Sequence, residues 1–322
     1  MARFLVNRLA QSVIVLVVMS FVIYGLIGLM PGDPVDLMIT ADPKITAKDA
    51  AHLRELYGLD KPITERYGNW VAAALSGDLG YSRLHAKPVL QVMGPALANT
   101  VTLLGLSLTL ALLIALPMGI LAAARPHTKL DYGINLLAFA GISVPPFWLA
   151  LMLIIVFAML LGLLPAGGTA AAAGASGFWE SAKYLVLPVA SLTIASIGSH
   201  TRYMRASMIE TLRQDYIRTA RAKGLSEPRV VLGHALRNAM IPVVTVIALD
   251  FGYLFSGALI TETIFSFPGM GKLIFDAIMG NDFNLALVAL LFATALTLTG
   301  NFLADMAYAA LDRRISLTEL AE

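Results

Sequence analysis

Six long apolar runs constrain this chain more than any single motif. They lie near residues 9–30, 101–124, 133–164, 184–204, 240–260 and 285–309. About 20 consecutive apolar residues are needed for a helix to cross the hydrocarbon core of a bilayer, and each run meets that length. A backbone in hydrocarbon has no water to bond to, so a spanning segment must satisfy its own polar groups, as a helix does. The predicted fold is therefore an all-α integral membrane protein with six transmembrane helices. The composition agrees: 58% of residues are hydrophobic and 14% charged, with mean hydropathy +0.76. A soluble monomer of this composition would expose too much apolar surface. The third run is long enough to tilt or bend, and Pro145 and Pro146 in its middle remove two backbone donors, which predicts a kink there.

Lysine and arginine placement sets the expected orientation. With the N-terminus inside, the inner segments carry Arg3 and Arg8, then Arg125 and Lys129. They also carry Arg202, Arg205, Arg213, Arg218, Arg221, Lys223, Arg229 and Arg237, and finally Arg313 and Arg314. The two short outer loops carry only Lys183 and Lys272. Both termini are expected to be cytoplasmic. The first run follows Arg3 and Arg8 in the manner of a signal peptide, but it is too long for a signal core. No small-x-small cleavage site precedes PGDP at 31–34, so a retained anchor is expected.

These features divide the chain into an anchor helix (1–30), an external amphipathic subdomain (31–96), a five-helix transmembrane domain (97–311) and a cytoplasmic tail (312–322). Within the subdomain, 45–60 reads as an amphipathic helix capped by Thr46, and 63–80 as a second that ends at Gly77 or Gly80. Tyr67 and Trp70 suit the water–lipid boundary, where a ring with a polar tip is well placed. The low-complexity stretch GGTAAAAGASG at 167–177 is expected to be mobile.

One long polar segment stands between apolar neighbours: residues 205–237, RASMIETLRQDYIRTARAKGLSEPRVVLGHALR. Met208, Leu212, Ile217 and Ala220 recur at roughly helical intervals, which predicts a helix over 207–222. Gly224 stands where that helix would end, because glycine takes the left-handed cap conformation without a Cβ clash. Ser226 is placed to cap a second short helix, and Glu227 favours its N-terminal dipole. The residues alone leave two readings open. One is a helix–glycine corner–helix element held at the membrane surface; the other is an ordinary loop kept inside by its positive charge.

Much chemistry is excluded. There is no G-x-x-x-x-G-K-[ST] phosphate loop, no H-E-x-x-H and no G-x-S-x-G. The histidines (His52, His85, His127, His200, His234) show no ligand spacing, and no cysteine is present to form disulfides or thiolate metal sites. Neither a metal nor a cofactor in this chain is expected, and neither is an enzymatic activity. A net charge of +2 makes no case for nucleic acid. Asp250 lies about halfway along the fifth run, at a depth where a carboxylate is costly unless it faces protein or water. It marks either a polar point on a translocation path, together with Ser256, or a buried carboxylate hydrogen-bonded to a neighbouring helix or held neutral by burial. A proton-coupled secondary transporter using Asp250, and a membrane scaffold that moves no solute, are the alternatives outside the reading that follows.

The 205–237 segment resembles the cytoplasmic loop of permease subunits of bacterial ABC importers for di- and oligopeptides. The superfamily pattern is E-A-A, three residues, then G. Arg218, Thr219 and Ala220 stand at the E-A-A positions and Gly224 at the glycine, so the leading glutamate is absent. The peptide branch favours D-Y-[IV]-R-T-A-R-A-K-G followed by H-A-L-R-N-A, which this chain has from Asp215 to Gly224 and from His234 to Ala239. PGDP (31–34), LYGLDKP (56–62), GDLGYS (77–82), SVPPFW (143–148) and TETIFSFPGMGKL (261–273) are similar to that branch in order along the chain. The nickel-importer permeases of the same branch are also similar.

The resemblance implies a type I ABC importer permease fold set in the lipid bilayer and paired with a second related permease to form the pore. Two ATPase subunits would carry ATP and Mg, and an external solute-binding protein would deliver solute. The 205–237 loop would be a coupling-helix pair docking on an ATPase through Asp215, Arg218, Thr219, Ala220, Arg221, Lys223 and Gly224.

Overall fold

The computed structural model describes residues 2–29, 46, 48, 49, 52, 55 and 60–311; the side chains of 2–5, 248–257, 304 and 307–311 are outside that description. In chain order the elements are α1 (Ala2–Gly28), α2 (Ile63–Leu75), β1 (Tyr81–Ser82), β2 (Lys87–Pro88) and α3 (Val89–Ala124). There follow α4 (Lys129–Ser143), α5 (Pro146–Leu153) with a π-helical continuation Ile154–Leu160, α6 (Phe178–Leu212) and α7 (Asp215–Ala222). The last are α8 (Glu227–Arg229), a π-helical stretch Val230–Ala235, α9 (Leu236–Ile264), α10 (Met270–Met279) and α11 (Phe283–Leu311). Apart from the two-residue antiparallel pairing of β1 and β2, the described regular structure is helical.

Five of these helices are long and apolar enough to cross a membrane, and a sixth span is made if α4 and α5 count as one. The predicted kink at Pro145 and Pro146 is a full break: α4 stops at Ser143, Pro146 opens α5, and the two axes meet at 95°. Proline suits this place because the first turn of a helix leaves its N–H groups unpaired in any event. The second and fourth spans overshoot their apolar runs. At about 1.5 Å per residue, the 36 residues of α3 and the 35 of α6 each exceed 50 Å, well beyond the ~30 Å hydrocarbon core.

The chain divides into two compact units. The first comprises 1–5, 98–272 and 297–322. In it, α6 packs against α4, α5 and α9. Small residues permit this. Gly198 of α6 lies against the backbone oxygen of Ala138 and the side chain of Ile142 on α4, so that no methyl group fits between them. A Cβ on Gly119 of α3 would stand 2.6 Å from Cβ of Met204 and 2.8 Å from the carbonyl of Thr201. Helices that share a bilayer associate through close backbone approach of this kind.

Two apolar cores occupy the two ends of α6. One gathers Leu103, Ala150, Leu187, Val189, Phe265 and Phe267. The other gathers Ala123, Met204, Met208, Ile217, Ala220, Val230, Val231, Ala235, Ala239 and Val243. The 167–177 stretch forms a turn. The amide of Gly168 donates to the carbonyl of Phe265 (2.7 Å), the amide of Ala172 donates to Thr169 Oγ1 (3.2 Å), and Ala170 is buried.

The second unit comprises 6–97 and 273–296. α2 stops at Leu75 and is closed just beyond, at Gly77 (φ +91°), one of the two positions foreseen, with the amide of Asp78 bonded back to the carbonyl of Ala73. Tyr67 and Trp70 do not stand alone at a boundary. Tyr67 meets Phe21 and Tyr24 edge-on at 5.2 and 5.6 Å, its hydroxyl lies 2.5 Å from Ser20 Oγ, and Trp70 packs on Tyr24. These rings fasten α2 to α1.

Most of the predicted helix over 45–60, PGDP, and the 312–322 tail lie outside the described residues. Thr46 does cap as foreseen: its Oγ1 accepts from the Asp49 amide (3.3 Å), and the Asp49 carboxylate accepts from the Thr46 amide (3.0 Å).

The glycine contacts give a direct test. Gly198→Ala is expected to destabilise the purified protein by about 1–3 kcal/mol through overpacking. Gly105→Ala, with nothing within 4 Å of its Cβ position, is expected to be neutral in the same thermal-unfolding measurement.

Candidate functional site: a helix corner built into the membrane core

The segment 205–237 is a folded element that shares its core with the helices on either side. The helix predicted over 207–222 is two helices. α6 carries Met208 to its end at Leu212, the chain turns at Arg213–Gln214, and α7 begins at Asp215. The turn keeps its backbone bonded, with Gln214 N–H on the carbonyl of Thr211 (3.1 Å) and Ile217 N–H on that of Gln214 (3.1 Å). Asp215 in the first turn of α7 and Arg221 in the last both complement the helix dipole.

Gly224 is the corner. Its φ is +78°, its amide bonds to the carbonyl of Arg221 (2.9 Å), and the amide of Leu225 reaches back to Ala220 (3.4 Å). This is the paired closure of a helix that ends in a left-handed residue, with the apolar Leu225 folded onto the same core. Ser226 takes the cap position of α8 without a side-chain cap bond. Glu227 does not simply sit on the helix dipole. Its carboxylate receives Arg221 Nε (2.7 Å) and Nη2 (3.3 Å), which bridges the two arms of the corner.

The foreseen residues separate into two faces. Asp215, Arg218, Thr219, Arg221, Lys223 and Gly224 are exposed, together with Arg213, Arg229 and Arg237. Ala220 faces the other way, buried with Ile217 against Met204, Met208, Val230 and Val231. Arg218 meets Asp215 at 3.2 Å, an exposed pair that contributes little. Two further bonds lock the element to the spans. Ser207 Oγ donates to the carbonyl of Ala239 (2.7 Å), joining α6 to α9, and Asn238 Nδ2 donates to the Tyr216 hydroxyl (2.8 Å), joining α9 to α7. Asp250 and Ser256 lie on α9, and their side chains are outside the described residues.

Three buried carboxylates were not singled out in the sequence. Asp131, 1% exposed, lies in the first turn of α4 and receives Arg205 Nε (2.6 Å) and Nη2 (2.8 Å). Glu262, wholly buried, receives Thr100 Oγ1 (2.5 Å) from α3 and the amide of Lys272 (3.0 Å) at the start of α10. Thr100 in turn accepts from the amide of Met270 (2.7 Å). In the second unit, Asp282 receives Ser82 Oγ (2.5 Å) and the amides of Leu84 (3.0 Å) and Leu285 (3.3 Å), pinning GDLGYS to the start of α11. The signal available was an acid just outside an apolar run, next to a glycine or a helix start. The donors stand 74, 162 and 200 residues away.

Among the described residues no group of three or more His, Asp or Glu side chains is placed to hold a metal ion. The arrangement has a charged face turned outward, an apolar face merged with the ends of three spans, and a glycine corner closed by backbone bonds.

Comparison with known proteins gives the family of the chain. Residues 115–317 match the model of the binding-protein-dependent transport system inner membrane component family. Residues 1–104 match the N-terminal model of the corresponding membrane components. The chain belongs to this family of inner-membrane transport components. Among relatives, it is 37% identical over 316 residues to the oligopeptide transport system permease protein AppB of Bacillus subtilis, covering 98% of this chain and 99% of that one. It is 35% identical over 333 residues to the dipeptide transport system permease protein DppB of Alkalihalophilus pseudofirmus, covering 98% and 99%. Its fold is that of a chain of the MetNI methionine ABC transporter in an inward-facing conformation (TM-score 0.58, 17% identity, 70% of this chain and 98% of that one). An amino acid ABC transporter is similar in the same way (TM-score 0.54, 16% identity, 68% and 94%).

The corner predicts a graded response to substitution. Space is open around Gly224, so backbone conformation alone decides. Gly224→Val is expected to cost about 1–2 kcal/mol for a left-handed residue with a Cβ, and Gly224→Asn measurably less, read by thermal unfolding and by protease nicking of 213–229.

Proposed function

We propose that this chain is a pore-forming permease subunit of an ATP-driven importer of di- and oligopeptides. The observation that carries the reading is near-full-length similarity to peptide permeases, at identities well above those of the methionine and amino acid transporters that share only the fold. A second related permease completes the pore, an external binding protein delivers the solute, and two ATPase subunits bind ATP and Mg. The chain itself holds no cofactor and catalyses no reaction. Its termini are cytoplasmic, in keeping with the lysine and arginine bias. Residues 1–30 anchor the chain, 31–96 form the external subdomain, 97–311 form the transmembrane domain and 312–322 the tail.

The exposed face of α7 docks on an ATPase. Arg218 and Lys223 supply charge-assisted contacts. Arg221 first stiffens the corner through Glu227. ATP-driven closure of the ATPases moves the docked corner, and a corner that shares its core with α3, α6 and α9 carries those spans with it. Asp250 and Ser256 are proposed to face the path.

The solubilised chain is expected to co-purify with two ATPase subunits and a second permease, and uptake of a labelled oligopeptide into proteoliposomes of that complex is expected to require ATP. Uptake by the chain alone, driven by a pH gradient and indifferent to ATP, would overturn this reading in favour of a proton carrier at Asp250.

A further inference from the structure

The ion pair between α4 and α6 stands outside the exposed docking face. Asp131 Oδ1 receives Arg205 Nε and Asn135 Nδ2 (2.7 Å); Asp131 Oδ2 receives Arg205 Nη2 and the amide of His127 (2.9 Å). Four donors saturate the carboxylate. The two arginine bonds form a parallel fork, which fixes direction as well as distance. The pair is buried on the aspartate side, at 1% exposure against 24% for the arginine side chain. Arg202, about one turn back along α6, lies with its guanidinium carbon 5.0 Å from the centre of the Phe139 ring on α4. At this end of α6, α4 is therefore held at two points.

What Arg205 joins is informative. Its neighbours on α6, Met204 and Met208, are wholly buried in the core that also takes Ile217 and Ala220 of α7. The polypeptide route from α3 to α4 is the four-residue link Arg125–Thr128, where His127 takes a positive φ of 62°. The principal core at this end includes no residue of α4. Movement of α7 thus reaches α3, α6 and α9 through apolar packing. It reaches the middle of α4 through the close packing of Gly198 on Ala138 and Ile142, and the α7-proximal end of α4 through the directional contacts Arg205–Asp131 and Arg202–Phe139. α4 leads in turn to the 95° break before α5.

We propose that Arg205 and Asp131 are positioning residues for transport, a directional link that makes α4 and the break at Pro145–Pro146 follow the α7 corner. This inference rests on the proposed ATP-driven function and adds to it the route by which the broken span is recruited. A buried staple with no such role would affect the amount and stability of folded protein and nothing else. A transmitting link also affects how much solute moves for each ATP hydrolysed.

The test uses the full complex in proteoliposomes, with ATP hydrolysis, labelled-oligopeptide uptake and thermal unfolding measured on the same preparation. Arg205→Met keeps the unbranched stem of the side chain and removes the fork; Arg205→Lys keeps the charge but not the paired geometry. For Arg205→Met we expect ATP consumed per solute moved to rise by roughly fivefold or more. Arg205→Lys is expected to fall between it and the wild type. If Arg205→Met does not fold, the Lys variant alone must show the rise. Because the chain has no cysteine of its own, the link can also be rebuilt. Asp131→Cys with Arg205→Cys is expected to couple poorly until the two thiols are joined by a short bifunctional reagent, and to recover when they are. Unchanged ATP per solute in folded Arg205→Met and Arg205→Lys complexes overturns the inference. So does loss of uptake and hydrolysis together, in proportion to folded protein. A wild-type complex whose uptake ignores ATP overturns the proposed function itself, a distinct result.

Discussion

Hydrocarbon leaves a backbone no water to bond to, and every break in a span must therefore be closed from within the protein. This constraint explains where the chain places its buried acids. Asp131 stands at the start of α4, Glu262 meets the first amides of α10, and Asp282 meets those of α11. Asp131 and Asp282 stand at the start of their own helices, and Glu262, near the end of α9, reaches the first turn of the next. Each carboxylate thus meets amides at or just before a helix start, where N–H groups are otherwise unpaired. Each also receives a side chain from a distant segment: Arg205, Thr100 and Ser82. The same atoms that end one helix and begin another thereby hold separate stretches of sequence together.

Within the first unit this gives a division of labour along α6. Its two ends are gripped by apolar cores, and its flank against α4 is closed by Gly198 and by the two arginines. The α7 corner is an extension of one of those cores. Under the proposed function that stiffness has a purpose, since a surface element that is to transmit movement must not absorb it.

The spans were legible in the sequence because each is long, apolar and bounded, and Pro145–Pro146 marked the break correctly though not its angle. The overshoot of α3 and α6 was not legible, since hydropathy reports where lipid ends and not where a helix does. Gly224 was readable as a corner from one residue type alone. The turn at Arg213–Gln214 was not, because no glycine or proline marks it and Leu212 and Ile217 keep the apolar rhythm running across it. Ala220 was grouped with the docking residues by motif, whereas the helix period already placed it with Ile217 on the inward face. Asp131, Glu262 and Asp282 were invisible as sites because their partners are remote in sequence, and a single acid near an apolar run announces no partner.

The merging of the corner with its supporting helices also bears on modularity. Much of the core that α7 packs into is supplied from elsewhere, by Leu116, Ile120 and Ala123 on α3 and by Ala239 and Val243 on α9. The loop therefore cannot be lifted out as a cassette. A chimaera that imports a relative's surface arginines must bring the matching wall residues from distant parts of the sequence, and change in one will drag the other along.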